Sequence, residues 1–443
     1  MLPLASQTYG DSGLVVSRLV NLYVQNTPEG PSASARYPRP GLAPFVTRGT
    51  GPIRLTVSHN GYRFTVSGSS VYRDGSVVGT IPGRGLVRFA RSDEQLVMVY
   101  DGKAYVVNAT VAQITDPDLP QVKDVAFCAG RFVYVEQYDG SAGSAKGRFH
   151  WSAISNAASI DGLDFATAEG NPDDIVSVRA LGDELFFFGE KTIETWSPTD
   201  SIDAPFLRSP GRRSDKGLVG QAAVCDLDNA HFWVGTNQGD GQTDLIVYRN
   251  SAAPARVSTS AVERLIRQTT DAASITLIPA VVDGHSFLLL NIPGVCTQAY
   301  DVGNDRWSEW ASFGLDTFRV QVADGGVFGD LVNGQLWTLD PDRGTDGSDP
   351  IVRTVTAFAP LASGRVKNTS VCLHTQPADG VVEMRYSDNG DDDWSEYRET
   401  SLDGRALWFQ LGLMQSPGRT YEFRCSDDVR FVPYGVTVNE VVL

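Results

Sequence analysis

Apolar and polar positions alternate with a period of two along most of this chain, in short runs that end at Gly, Asp or Asn. A period of two puts every second side chain on one face of a strand, whereas a helix repeats near 3.6. The runs come in pairs: Tyr62–Val66 with Ser70–Tyr72, Gln95–Tyr100 with Ala104–Val107 across Asp101-Gly102, and Phe127 with Phe132–Val135 across Ala129-Gly130. Ile175–Ala180 with Leu185–Phe188 and Ala230–Val234 with Leu245–Tyr248 follow. Ile275–Val282 with Ser286–Ile292 across Asp283-Gly284, and Gly326–Phe328 with Gln335–Leu339 across Asn333-Gly334, complete the series. Asp-Gly and Asn-Gly between alternating runs are hairpin signals, because both turn residues must adopt positive φ. Seven pairs over about 300 residues space out near the 40–50 residues of a propeller blade. The pattern therefore predicts an all-β chain with a β-propeller of six or seven blades over residues 46–350. Two sandwich domains are the alternative.

Other stretches break the rhythm. Residues 1–45 are rich in Ser, Pro and Gly, with one apolar run at Leu14–Val24. They read as a docking arm or as a strand contributed to the C-terminal domain. Thr259–Thr270 places Val262, Leu265 and Ile266 at helical spacing behind a Ser/Thr cap, which predicts one short amphipathic helix. The polar loop 341–350 is the best boundary. Beyond it, residues 351–443 alternate again and predict a small β-sandwich-like platform domain, to which the N-terminal arm can add.

The segment Leu163-Asp164-Phe165-Ala166-Thr167-Ala168-Glu169-Gly170-Asn171-Pro172-Asp173-Asp174-Ile175, followed by Phe188-Gly189-Glu190-Lys191-Thr192-Ile193-Glu194-Thr195-Trp196, resembles the tail hub family of short-tailed phages, the packaged-DNA stabilisation proteins. Leu22-Tyr23-Val24-Gln25 and Tyr37-Pro38-Arg39-Pro40-Gly41-Leu42 resemble that family's opening. Pro205–Arg208 and Lys216–Gly220 resemble its link into the next sheet, and Met384–Gly390 before Trp394 its C-terminal hairpin. The order of these matches carries the resemblance.

Composition narrows the function classes. Hydrophobic residues make up 42% of the 443, enough for a large core. No apolar run is long enough for a transmembrane helix, and the opening residues lack the pattern of a signal peptide. The net charge of -16 argues against a dedicated grip on nucleic acid, which needs clustered cations. The one dense basic cluster, Arg208, Arg212, Arg213 and Lys216, reads as a solvated or subunit-contact loop. An acidic wall still lets a duplex slide past without sticking. The five cysteines, Cys128, Cys225, Cys296, Cys372 and Cys425, are scattered and predict buried free thiols.

Motifs with chemical potential do not assemble into a site. Gly10-Asp11-Ser12-Gly13 lacks the context of a serine nucleophile, and the five histidines, His59, His150, His231, His285 and His374, are dispersed. Gly83-Arg84-Gly85 lacks the third glycine of a dinucleotide loop. Asp340, Asp342 and Asp346 space carboxylates as a calcium loop does, but no distal bidentate Glu follows. Ser387–Trp394 approximates a sialidase Asp-box with its Gly one place early. No catalytic, cofactor-binding or metal-ligating residue is assigned, and no cofactor is expected.

What the resemblance implies is a non-enzymatic virion protein, assembled in the host cytoplasm. Copies would form a homo-oligomeric ring, expected to be a hexamer, below the head-to-tail adaptor. The ring would retain packaged DNA, carry distal needle, spike or fibre proteins, and pass double-stranded DNA through its lumen without specific binding or membrane contact. A carbohydrate-active propeller, a lyase or sialidase-like hydrolase, is the alternative.

Overall fold

The computed structural model describes residues 1–6, 17–141, 144–168, 173–239, 242–250, 253–389 and 393–439. Among them the structure is almost entirely β-strand, with one α-helix, Ser260–Ile266. Five separate four-stranded antiparallel sheets follow one another, at residues 53–80, 88–113, 122–167, 175–214 and 224–256. The next four strands, residues 276–310, form one end of a nine-stranded sheet. A seventh set, residues 320–340, is completed by the N-terminal strand Gly41–Thr47, which pairs with Gln335–Asp340. Each of the seven hairpins read from the sequence falls in a different one of these seven sets.

The turn chemistry explains the hairpins. Asp101-Gly102, Ala129-Gly130 and Asp283-Gly284 all adopt positive φ at both positions, the backbone that matches strand twist. The sets pack side by side through their apolar faces. Val57, Phe64 and Val66 of the first meet Leu96 and Met98 of the second, and Phe149 of the third stacks on Phe187 of the fourth at 4.3 Å. First strand also meets first strand: Val122–Cys128 packs on Ile175–Leu181, and Val320–Asp324 returns to Ile53–His59. The arrangement is propeller-like.

The helix expected over 259–270 forms at Ser260–Ile266, where the Thr259 side chain accepts from the Val262 amide. It buries Val262, Leu265 and Ile266 in the core of the fifth and sixth sets.

Residues 353–438 supply the other end of the nine-stranded sheet and make two further sheets, of three and two strands, around a separate core of Val355, Val371, Leu373, Met384, Trp408 and Phe423. The first 45 residues serve both regions. Leu4, Leu19, Leu22 and Val24 enter that C-terminal core, while Tyr23 and Leu42 enter the core of the sixth and seventh sets. The short strand Leu19–Val20 lies between Arg306–Trp310 and Arg353–Pro360, so one sheet runs from the sixth set into the C-terminal region.

Candidate functional site

The segments that carry the family resemblance turn out to be structural locks. Asp173 is buried at the entry to the fourth set. Its Oδ2 accepts the Lys191 and Thr192 amides at 2.8 and 2.9 Å, and the Thr192 hydroxyl also donates to it. A β-carbon on Gly189 would lie 2.5 Å from that oxygen, so the turn after Phe188 requires glycine. Gly217 faces the same turn, where a β-carbon would meet the Glu190 carbonyl oxygen at 2.0 Å. The chain upstream splits in character: Trp151 is buried against Phe206, whereas Leu163 on the outer strand Asn156–Thr167 is 85% exposed. Glu169 to Pro172 lie outside the described residues.

The opening motif is a second lock. Arg39 is fully buried and donates to Asn21 Oδ1, to the Pro40 and Ala311 carbonyls and to both oxygens of Asp346, at 2.7 to 2.9 Å. Its guanidinium also lies over the Phe318 ring. In the C-terminal hairpin, Asp388 accepts from Arg419 at 2.6 and 2.8 Å, and Arg385 stacks on Trp394. Gly390, Asp391 and Asp392 lie outside the described residues, as does Gly10-Asp11-Ser12-Gly13.

An axial cavity of 960 Å³ is bordered by Arg84, Arg88, Tyr100, Lys123, Gln221 and Gln321, residues from several sets. Side chains on the first strands tie the sets together around it. Arg54 donates to the Gly85 and Ile81 carbonyls, fastening the first set to the connection that leads into the second. Arg88 meets Asp124 of the third at 3.2 Å. Asp124 in turn accepts from Ser177 and the Val178 amide of the fourth, and Arg179 donates to the Val224 carbonyl of the fifth. Gln321 of the seventh set donates to the Ile53 carbonyl of the first at 2.7 Å. Burial alone would raise the Asp124 carboxyl, but Arg88, Arg179 and the Ser177 and Val178 donors outweigh it and hold it below the ordinary range. These groups are engaged with one another, as in a mechanical tie. None of this belt was legible in the sequence, because each partner sits one set away.

The remaining candidates are dispersed. Gly83-Arg84-Gly85 forms a rim turn whose amides at 84 and 85 donate to the Tyr100 hydroxyl. His150, His231 and His285 each meet a different carboxylate, at Glu136, Asp226 and Asp301, in three different sets. His59 neighbours Asn60, and His374 meets Thr437. Asp346 of the calcium-like spacing is committed to Arg39, and Asp340 accepts from the Asp342 amide. No cluster of three or more potential metal ligands occurs among the described residues. All five cysteines are buried and unpaired as disulfides. Arg208, Arg212 and Arg213 lie on the outer strand Phe206–Ser214 and pair with Glu194, Glu184 and Asp215.

Comparison with known proteins resolves what these locks belong to. The family model Phage_stabilise, described as "Bacteriophage P22 Gp10, beta-propeller", matches residues 3–342. The chain belongs to this Gp10 family. The tail hub protein gp10 of Salmonella phage P22 is 24% identical to it over 249 residues, 52% of this chain and 50% of that protein. The match thus spans half the length of the curated relative. Among solved structures, the extracellular domain of a one-component system from B. thetaiotaomicron gives a TM-score of 0.44 at 8% identity, covering 88% of this chain and 57% of that one. An exo-beta-1,3-galactanase from Phanerochaete chrysosporium gives 0.30 at 9% identity, covering 80% and 95%. Likenesses this distant carry no argument, so the carbohydrate-active alternative gains nothing from the galactanase. As a Gp10-family member the chain is related to a phage tail hub protein.

Proposed function

We propose that this chain is a tail hub, or nozzle, subunit. Copies form a ring, expected to be hexameric, below the head-to-tail adaptor; the ring helps retain packaged DNA, carries distal needle, spike or fibre proteins, and forms part of the ejection channel. The family match over residues 3–342 is the observation that carries this reading. In it the seven sheet sets are the blades of a closed seven-bladed propeller, sealed where Gly41–Thr47 joins the last blade. Residues 351–443 are a β-sandwich-like platform, and residues 1–45 bridge the two units. The subunit is a virion component that assembles in the host cytoplasm.

Scale supports a channel between copies rather than through one. The axial cavity of 960 Å³ is of small-molecule size, and its first strands are cross-tied. A duplex whose major groove alone is about 12 Å wide cannot pass it. An acidic chain of net charge -16 lines such a lumen without holding DNA. Electron microscopy of the purified full chain, alone and mixed with its adaptor, tests the proposal. Closed rings docked on the adaptor are expected; a chain that stays monomeric at high concentration with adaptor present overturns it.

A further inference from the structure

Leu163 and Ile202 are the two most exposed large apolar side chains among the described residues, at 85% and 81%. Both stand in the same frame of charge, Asp161-Gly162-Leu163-Asp164 and Asp200-Ser201-Ile202-Asp203. The first is a bulge on the edge strand of the third sheet set, where residues 161–164 stand opposite the single residue Trp151. The Leu163 amide donates to Asp161 Oδ1 at 2.9 Å. The second is the turn between the last two strands of the fourth set. There the Thr199 amide donates to the Pro205 carbonyl at 2.8 Å, and the Ala204 amide to the Ser201 hydroxyl at 3.2 Å. Both tips are therefore held in shape by their own hydrogen bonds before anything meets them.

The two tips are neighbours. At their bases the Trp151 ring meets Phe206 edge-on, with centroids 6.2 Å apart. Burial raises the Asp164 carboxyl above its ordinary value; Arg131 opposes the rise, and the Asp161 and Asp203 charges add to it. Third and fourth sets thus present one surface with two aliphatic knobs among four carboxylates.

The opposite chemistry lies in the C-terminal region. Arg365–Lys367 pairs with Leu413–Gln415, and Lys367 is directly opposite Leu413. The ladder runs on through the Asn368 amide to the Gly412 carbonyl and the Gln410 amide to the Thr369 carbonyl, and then sets Ser370 opposite Phe409. Along it Val366, Phe409 and Leu413 are exposed, as are Arg365 and Lys367. Neither of these two cations makes an ion pair among the described residues. The tips and this ladder flank separate cores, and the exposure of both shows that neither covers the other within one chain.

We propose that the tips of one copy seat on the 365–367/409–413 ladder of the next copy. Leu163 and Ile202 pack against Phe409, Leu413 and Val366, while the flanking carboxylates meet Arg365 and Lys367. Charge complementarity names the partner: the chain carries a net charge of -16, and the cationic ladder is what an acidic neighbour of the same kind can approach without repulsion. Two different patches of one chain that fit each other make a head-to-tail contact, the kind that closes into rings. The contact rests on the tail-hub reading and specifies the surfaces that its ring uses.

Sedimentation of the full chain, alone and with its adaptor, tests the contact through two charge reversals at exposed positions, Arg365→Glu with Lys367→Glu and Asp200→Lys with Asp203→Lys. Each double variant should need at least about tenfold more protein to assemble, with its melting temperature unchanged. An equal mixture of the two should assemble at the wild-type concentration, because each reversed surface then meets the other's. Rescue in the mixture also separates a lost contact from a folding defect, since two damaged chains do not repair each other. Ile202→Ser should weaken assembly in the same direction. Assembly of both double variants at the wild-type concentration, or a mixture that stays apart like its components, overturns the contact and leaves the ring reading standing. A wild-type chain that stays monomeric with adaptor present overturns the ring reading and the contact together.

Discussion

Arg39 and Asp346 form a two-armed ion pair, at 2.9 and 2.7 Å, with neither side chain exposed, although 307 positions separate them in the chain. The pair fastens the N-terminal hairpin to the loop that leaves the seventh sheet set. Asn21 and Ser312 complete the polar cluster, donating or accepting so that neither charge is stranded. A buried pair is not a large net gain, but removing one member leaves an uncompensated charge. Arg39→Met or Asp346→Ala should therefore cost about 3–5 kcal/mol, read by denaturant unfolding. A loss below about 1 kcal/mol would mean that the pair is not the junction's lock.

The Asp173 clip gives a more local expectation. Asp173→Ala strips the acceptor from the Lys191 amide and from the buried Thr192 amide and should cost about 1–3 kcal/mol. Hydrogen exchange should speed up at Lys191 and Thr192, while amides of the first sheet set keep their protection. Uniform loss of protection would contradict a local clip.

Removal of residues 1–47 tests the double duty of the N-terminal segment. It deletes the closing strand of the seventh set and takes Leu4, Leu19, Leu22 and Val24 out of the C-terminal core. Each large core side chain lost is worth about 2–5 kcal/mol. Limited proteolysis should cut within both 320–340 and 351–443. A truncated protein as resistant as the full chain would show that these strands add little.

Stability should fall with acid in two stages. Burial lowers the His150 imidazole below its ordinary value, against the pull of Glu136 at 3.2 Å. The unfolded chain then binds that proton more readily, so His150 supports the fold above about pH 6.5 and the support is lost as pH falls from there. Asp124, held low, adds stability above the ordinary carboxylate value that is lost as pH drops through it. Glu309, pushed up by burial, works in the opposite sense and softens the second stage. Thermal melts of His150→Gln should show a shallower decline between pH 7 and 5; an unchanged slope would remove His150 from the account.

The thiols should be silent in the native protein. Burial pushes Cys128 up to about 11 and Cys296 up to about 12, and raises Cys225 and Cys425 as well. A thiol reagent at pH 8 should label none of the five buried cysteines before unfolding and all five after it. Fast labelling of one would mark a locally open strand.

The sequence by itself determined the local layer of this protein. Alternation marked one hairpin in each of seven sheet sets, Asp-Gly and Asn-Gly marked turns, and a Ser/Thr cap candidate marked the start of the short helix, because period, positive φ and capping are properties of adjacent residues. The order of short motifs also pointed to the right family. Tertiary structure alone decided how the pieces close. Nothing local says that Gly41–Thr47 pairs with Gln335–Asp340, that Leu19–Val20 sits between two regions, or that Asp346, in what reads as a polar linker, is buried against Arg39. The ties between first strands are hidden for the same reason. Their members lie on different sheet sets, and pairing across sets is chosen by how whole apolar faces pack, a choice that no window of neighbouring residues contains.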